Sequence, residues 1–174
     1  MICKLSRAEF GSILNVINNA AEAYRGVIPE DRWKEPYMSP TELKEELKSG
    51  VQFYGWIENE SLVGVMGIQP LKDVTLIRHA YVLANQQRRG FGEKLLNHLL
   101  DLAKTSEILV GTWKTALWAI CFYQKHGFAL VSREEGSRLL RKYWKIPERQ
   151  IETSVVLSFK KKVARAVGKI LKTS

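Results

Sequence analysis

Six consecutive residues near the middle of the chain, Gln87, Arg88, Arg89, Gly90, Phe91 and Gly92, have the composition of an anion-holding loop. An apolar, β-branched run at residues 74–82 precedes them, and leucines at 95, 96, 99 and 100 follow. That order reads as strand, tight loop and helix, with the loop at the first helical turn. The first turn of a helix has unpaired N–H groups and a partial positive charge. Gly90 and Gly92 remove side chains that would hold a phosphate off the backbone, and they permit positive φ. Arg88 and Arg89 add charge beside it. The spelling is neither a Walker loop nor the dinucleotide GxGxxG. Two further residues could move protons. Tyr123 is a phenol that stays protonated at neutral pH. His79 is an imidazole suited to accept a proton directly or through water. Each also has a plain structural reading: a strand-to-helix turn, a core tyrosine beside Phe122, and a histidine packed on its strand.

The loop matches the Q/R-x-x-G-x-G/A signature of the GNAT N-acetyltransferases, and Val82 stands eight residues before Gly90 as in that family. A second segment, Ala119-Ile120-Cys121-Phe122-Tyr123-Gln124-Lys125-His126-Gly127-Phe128, resembles the family's A-x-x-x-Y-x-K-x-G-F stretch. With both in order, the sequence resembles a GNAT acyltransferase over residues 2–157. The resemblance implies an α/β (α+β) domain of the GNAT fold, a mixed central sheet of about seven strands flanked by about four helices. It implies acetyl-CoA as acyl donor, with coenzyme A as product and a primary amine as acceptor. The amine would attack directly in a ternary complex. In that scheme the 87–92 loop binds the pyrophosphate, and Val82, Leu83 and Ala84 pair with the pantetheine arm like an added strand. Tyr123 meets the departing sulfur as general acid. His79 is the candidate base, with Glu22, Glu30 and Asp31 as alternatives. The family often has asparagine seven residues before the tyrosine, where this chain has Ala116, so that contact is absent or replaced. Cys121 is expected in the core and His126 at the helix C-terminus. The rival from another class is a non-catalytic acyl-CoA-binding sensor or interaction module.

The elements that must position these residues are legible from periodicity. Ser6 and Glu9 spell a capping box before Phe10, Ile13, Leu14, Ile17, Ala20, Ala21 and Tyr24, a helical stripe. Ser39, Pro40 and Glu42 spell a second box, for a helix to about residue 49. Residues 51–57 and 62–69 read as a hairpin. The strand at 74–82 follows, with Thr75, Ile77, His79 and Tyr81 expected on one face. A helix over 92–104, a strand over 108–113, a helix over 116–126 and a strand over 128–131 come next. Residues 133–149 suggest one short helix cut by Pro147, and alternation over 151–157 predicts a last strand with one solvated face. Trp33 and Tyr37, between the first two helices, either line an acceptor pocket or pack on the core.

The chain has 174 residues, a net charge of +9 and 45% hydrophobic content, which is ordinary for one globular domain. Residues 159–174 hold six of the 27 basic residues and no acid, leaving 21 bases against 18 acids before them. The expected organisation is therefore an acetyltransferase domain at 1–158 and a basic amphipathic tail at 159–174. Specific nucleic-acid binding is not expected, because the charge is not spread over a folded face. Weak contact with a membrane surface through the tail fits its Phe159, Val163, Val167, Ile170 and Leu171 spacing. Two cysteines form no framework, no apolar run is long enough to span a membrane, and a cytoplasmic setting is expected. A small-molecule amine is the first expectation for the acceptor, a peptide or protein amine the second, and the enzyme a monomer or homodimer.

Overall fold

The computed structural model describes residues 1–161, and the tail residues from Val163 onward that carry the amphipathic spacing lie outside them. Seven strands form one mixed sheet: β1 Ile2–Lys4, β2 Gln52–Glu58, β3 Ser61–Pro70, β4 Thr75–Val82, β5 Glu107–Trp113, β6 Ala129–Leu130 and β7 Ser154–Lys160. Their spatial order is β1-β2-β3-β4-β5-β7-β6. All neighbours run antiparallel except β4 and β5, which are parallel. Six α-helices are described: α1 Phe10–Ala21, α2 Pro40–Lys48, α3 Phe91–Leu102, α4 Leu117–Lys125, α5 Arg133–Tyr143 and α6 Glu148–Glu152. α5 is the short helix read over residues 133–149, and α6, which follows Pro147, was not anticipated.

Local chemistry explains most of these boundaries. Both capping boxes form: Ser6 with Glu9 before a 3-10 turn that runs into α1, and Ser39 with Glu42 at the start of α2. Asn59 and Glu60 both take positive φ in the two-residue turn between β2 and β3, as a twist-matched hairpin requires. Ile13, Val16 and Ile17 of α1 pack with Leu43 of α2 on Val51, Phe53 and Val65 of the sheet. On the opposite face Leu95, Leu96 and Leu99 of α3 cover Met66, Ile68, Ile77, Ile108 and Val110, together with Tyr123 of α4. α5 buries Leu139 and Leu140 against Leu76, Leu109 and Val156.

Expectations for the last strand and for β4 are corrected here. The last strand begins at Ser154, because Ile151 turns inward from the short helix α6. β7 also has no solvated face. Helices cover both faces of this strand: Val156 is buried under α5 while Leu157 joins the α3 side. The boundary expected after Ser158 falls inside this strand, where Phe159 meets Phe128 at 5.3 Å.

The second correction bears on the site. Thr75 and Ile77 do not share a face with His79 and Tyr81. Between the pairs Gly67↔Arg78 and Val65↔Tyr81, β4 has two residues where β3 has one, a β-bulge. His79 sits in it at φ 50, a conformation uncommon for a residue with a side chain. The bulge resets the alternation. Ile77 and Ala80 face the α3 side, whereas His79 stacks near Phe53 and Tyr81 packs with the α1 and α2 cluster. Gly67 opposite the bulge has no room for a Cβ, which would lie 3.0 Å from the Arg78 carbonyl oxygen and 2.8 Å from Val51.

Candidate active site

β4 and β5 pair over three positions only, Thr75↔Ile108 to Ile77↔Val110. Past the bulge β4 stays with β3, while β5 continues beside β7 as far as Trp113. The sheet therefore opens between its two parallel strands, and two cavities meet along the opening. One, of about 670 Å³, lies on the α3 and α4 side; the other, of about 360 Å³, lies towards α2 and residues 144–150. Tyr24 and Tyr81 border both.

The larger cavity brings together Val82, Gln87, Arg88, Gly90, Phe91 and Gly92 from the anticipated loop and strand. Gly90 takes φ 81 and Arg88 takes φ 60, a double left-handed turn that swings the chain into α3. The first intrahelical bond is from Lys94 N–H to the Gly90 carbonyl, so the N–H groups of the first turn have no helical acceptor. A Cβ on Gly90 would touch nothing within 4 Å, so it is the left-handed conformation that requires glycine there. Leu83 N–H donates to the Val63 carbonyl at 2.9 Å, so by strand alternation Val82 N–H points away from β3, into the opening. The Val82 carbonyl accepts from Gln87 Nε2 at 3.1 Å.

Three anticipated residues stand apart from the cavity lining. Leu83 packs with the α1 and α2 cluster, and Ala84 N–H donates to Asn19 Oδ1 at 3.1 Å. Arg89 reaches the other way, pairing with Glu58 at 3.1 Å and lying 4.8 Å from the Phe91 ring centre. α4 supplies Trp118, Ala119, Phe122, Tyr123, Lys125 and His126 to the opposite wall. Tyr123 is 5% exposed, and burial, then neighbouring Tyr24, pushes its phenol well above the ordinary value. His126 Nδ1 bonds the Phe122 carbonyl at 2.7 Å, so it caps its own helix as expected. Cys121, expected in the core, is exposed because it lies on the outer side of α4. Ala116, in contrast, is fully buried with Ile28 and Trp113 and lines neither cavity.

The smaller cavity contains a network that sequence reading missed. Arg78 Nη2 lies 2.8 Å from Glu46 Oε1 and Arg78 Nη1 donates to Gln69 Oε1 at 3.0 Å. His79 Nε2 lies 3.3 Å from Glu46 Oε2. Burial raises the Glu46 carboxyl, but His79 and Arg78 together outweigh burial and hold it below the usual carboxylate range. Glu46 had no sequence signal: it reads as one more acid on an exposed helix, and its partners lie 32 residues away and more. Tyr37 fulfils both earlier readings, whereas Trp33 lines neither cavity and packs on the cluster of Ile28, Trp113 and Ala116. Tyr37 stacks on Tyr24 at 5.7 Å and accepts from Trp113 Nε1 at 2.9 Å while also lining the cavity. Burial raises Tyr24, Tyr37 and Tyr81 alike, so the junction is a set of protonated phenols. Glu22 and Asp31, offered earlier as bases, are spent on Arg25 and Arg149 at the surface, and neither they nor Glu30 line either cavity.

A mixed sheet that parts between parallel strands, above a glycine loop at a helix start, is the architecture of acyltransferases that take coenzyme A thioesters. Comparison with known proteins agrees. The model of the acetyltransferase (GNAT) family matches residues 15–128, and the chain belongs to that family. No curated protein matches the sequence. Among solved structures, the chain is similar to PaiA N-acetyltransferase from Thermoplasma acidophilum in complex with coenzyme A. That match has 17% identity and a TM-score of 0.70 over 92% of this chain and 98% of that one. A ribosomal-protein alanine N-acetyltransferase from Escherichia coli gives 16% identity and 0.69 over 99% of both chains. N-acetylglutamate synthase from Neisseria gonorrhoeae, complexed with coenzyme A and N-acetyl-glutamate, gives 19% and 0.63, over 92% of this chain and 34% of that longer one. At these identities the likeness is one of fold. The protein is thus an acetyltransferase with acetyl-CoA as donor. No helix among the described residues is long and apolar enough to cross a membrane.

Proposed function

We propose that the protein transfers an acetyl group from acetyl-CoA to the primary amine of a small molecule, by direct attack in a ternary complex. The observation that carries this reading is the meeting of two cavities at Tyr24 and Tyr81, one beside an anion loop and one lined by titratable side chains. The first-turn N–H groups of α3 take the pyrophosphate, with Arg88 beside them. The free N–H of Val82 pairs with the pantetheine arm, which enters the opening as a strand would. That places the thioester at the junction, where an amine from the smaller cavity can reach its carbonyl carbon.

The attacking amine must lose its proton, and His79 is the group we assign to that step, held by the bulge and faced by Glu46. The tetrahedral intermediate then collapses with cleavage of the carbon–sulfur bond, and Tyr123 supports the departing sulfur with its hydroxyl. Cys121 is not used: it is exposed on α4 and lines neither cavity. The smaller cavity lies at the low end of ligand-site volumes, which favours a small acceptor over a protein chain. A cytoplasmic setting belongs to the same reading and is supported by two unpaired cysteines.

The test is thiol release from acetyl-CoA against a broad panel of small amines and of peptides with free N-termini. Turnover with small amines is expected. Tight cofactor binding without thiol release for any amine would replace the reading with that of a non-catalytic acyl-CoA sensor.

A further inference from the structure

The smaller cavity is bipolar. α2 contributes Glu42, Glu45 and Glu46 to its lining, which also holds Arg32 from the 3-10 turn Glu30–Arg32 and Lys145 from the segment before α6. Two of the three acids are already matched, and Glu45 makes no ion pair among the described residues. Glu42 pairs with Lys34, and Glu46 with Arg78 and His79. The acids around Arg32 are committed elsewhere: Asp31 to Arg149 at 3.0 Å and Glu35 to Arg25 at 2.6 Å. Arg32 itself has no carboxylate within ion-pair reach among the described residues, and its Nε is shut off from solvent without an acceptor. The turn that carries it is pinned, since Arg149 grips Asp31 through both Nε and Nη2. A half-buried guanidinium held in place with no counter-ion is a fork suited to a carboxylate.

Resting on the acetyl-transfer reading above, we infer that the acceptor is a free amino acid, whose carboxylate is held by Arg32 while its amine faces the His79 and Tyr81 end of the cavity. Lys145 adds a second positive charge to the lining. Tyr37, Trp113 and Trp144 also line the cavity and suit an apolar substituent on the same carbon. A polyamine lying the same way would set its second ammonium beside Arg32 and Lys145, so a polycation is the contrasting acceptor.

The test compares three sets of acceptors in the thiol-release assay: the proteinogenic amino acids, their carboxamides and the corresponding decarboxylated amines, with spermidine as a polycation. For the wild type, at least one amino acid is expected to exceed its own amide and amine by about 10²-fold or more in kcat/KM, since a site built around a polar group rejects analogues lacking it. Arg32→Gln should raise KM for that amino acid by a similar factor, leave its decarboxylated amine unchanged, and keep coenzyme A affinity and the circular dichroism spectrum. Arg32→Lys should recover part of the loss. Preference for spermidine or for decarboxylated amines, or an Arg32→Gln defect equal for all acceptors, would overturn the inference. If no compound releases thiol, the acetyl-transfer reading has failed, and calorimetry of the same amino acids on the coenzyme A-saturated protein decides the carboxylate site alone. Binding that Arg32→Gln abolishes supports it; no binding to the wild type refutes it.

Discussion

Replacing Tyr123 by phenylalanine separates the chemistry of that side chain from its packing. The ring is 5% exposed and meets Phe122 and Phe128 edge-on at 5.2 and 5.4 Å, contacts that phenylalanine keeps. Only burial and Tyr24 act on the hydroxyl, with no hydrogen bond among the described residues to lose, so stability should change by less than about 1 kcal/mol. The catalytic loss follows from the same burial. Burial raises the phenol, whereas a thiol has an ordinary pKa of about 8.5, so full proton transfer to the sulfur runs uphill. What remains is a hydrogen bond to a developing thiolate, worth about 1.5–3 kcal/mol. At about 1.4 kcal/mol per decade, kcat should fall about 10- to 150-fold, below the upper range of general acid catalysis. The measurement is thiol release at saturating acetyl-CoA with an amine found in the panel, beside calorimetry of cofactor binding, which should be unchanged. An unaltered kcat would make the tyrosine a core residue. A loss beyond about 10³-fold would mean that the proton moves completely and that the argument from burial is wrong.

Gly90→Glu should abolish coenzyme A binding in calorimetry while the protein stays folded, because it sets a carboxylate on a left-handed turn beside the anion site; wild-type affinity would remove the loop from the site. His79→Gln is expected to lower kcat by about 10²-fold with cofactor affinity retained, and normal turnover would exclude it as the base. Glu46→Gln should cost about 1–3 kcal/mol in urea unfolding at neutral pH. The folded state holds Glu46 below its usual value, so its contribution is complete above about pH 4.5 and disappears as pH falls through the lower folded value; the wild-type and mutant curves should converge in acid, and a constant gap would refute the linkage. Ending the chain after Lys161 should leave turnover within a few-fold and weaken any binding to anionic vesicles. Ending it after Ser158 should instead lower the melting temperature, because Lys161 Nζ caps α3 through the carbonyls of Leu100 and Ala103, at 2.9 and 2.8 Å.

The sequence by itself determined whatever a few neighbouring residues decide among themselves. Both capping boxes, the hairpin turn and the glycine loop before α3 are short-range patterns, in which the chain satisfies its own N–H groups or takes a left-handed turn at Gly90. Those signals located six of the loop and strand residues that line the larger cavity, together with Tyr123. They also indicated the family, because both motifs are contiguous. Tertiary structure alone decided the rest. Alternation puts His79 with Ile77, but the bulge against β3 turns it to face Glu46, and no local pattern in β4 announces a bulge that its neighbour shares. The last strand differs from its alternation for a related reason: Ile151 belongs to α6, and helices cover both faces of β7, burying Val156 and Leu157 alike, which no local pattern announces. The direction of Arg89 and the isolation of Arg32 are likewise facts about distant partners, Glu58 for the one and Arg149's hold on Asp31 for the other. A salt bridge between residues far apart in the chain has no periodicity, so only the folded sheet could reveal which charges are matched and which remain free to meet a substrate.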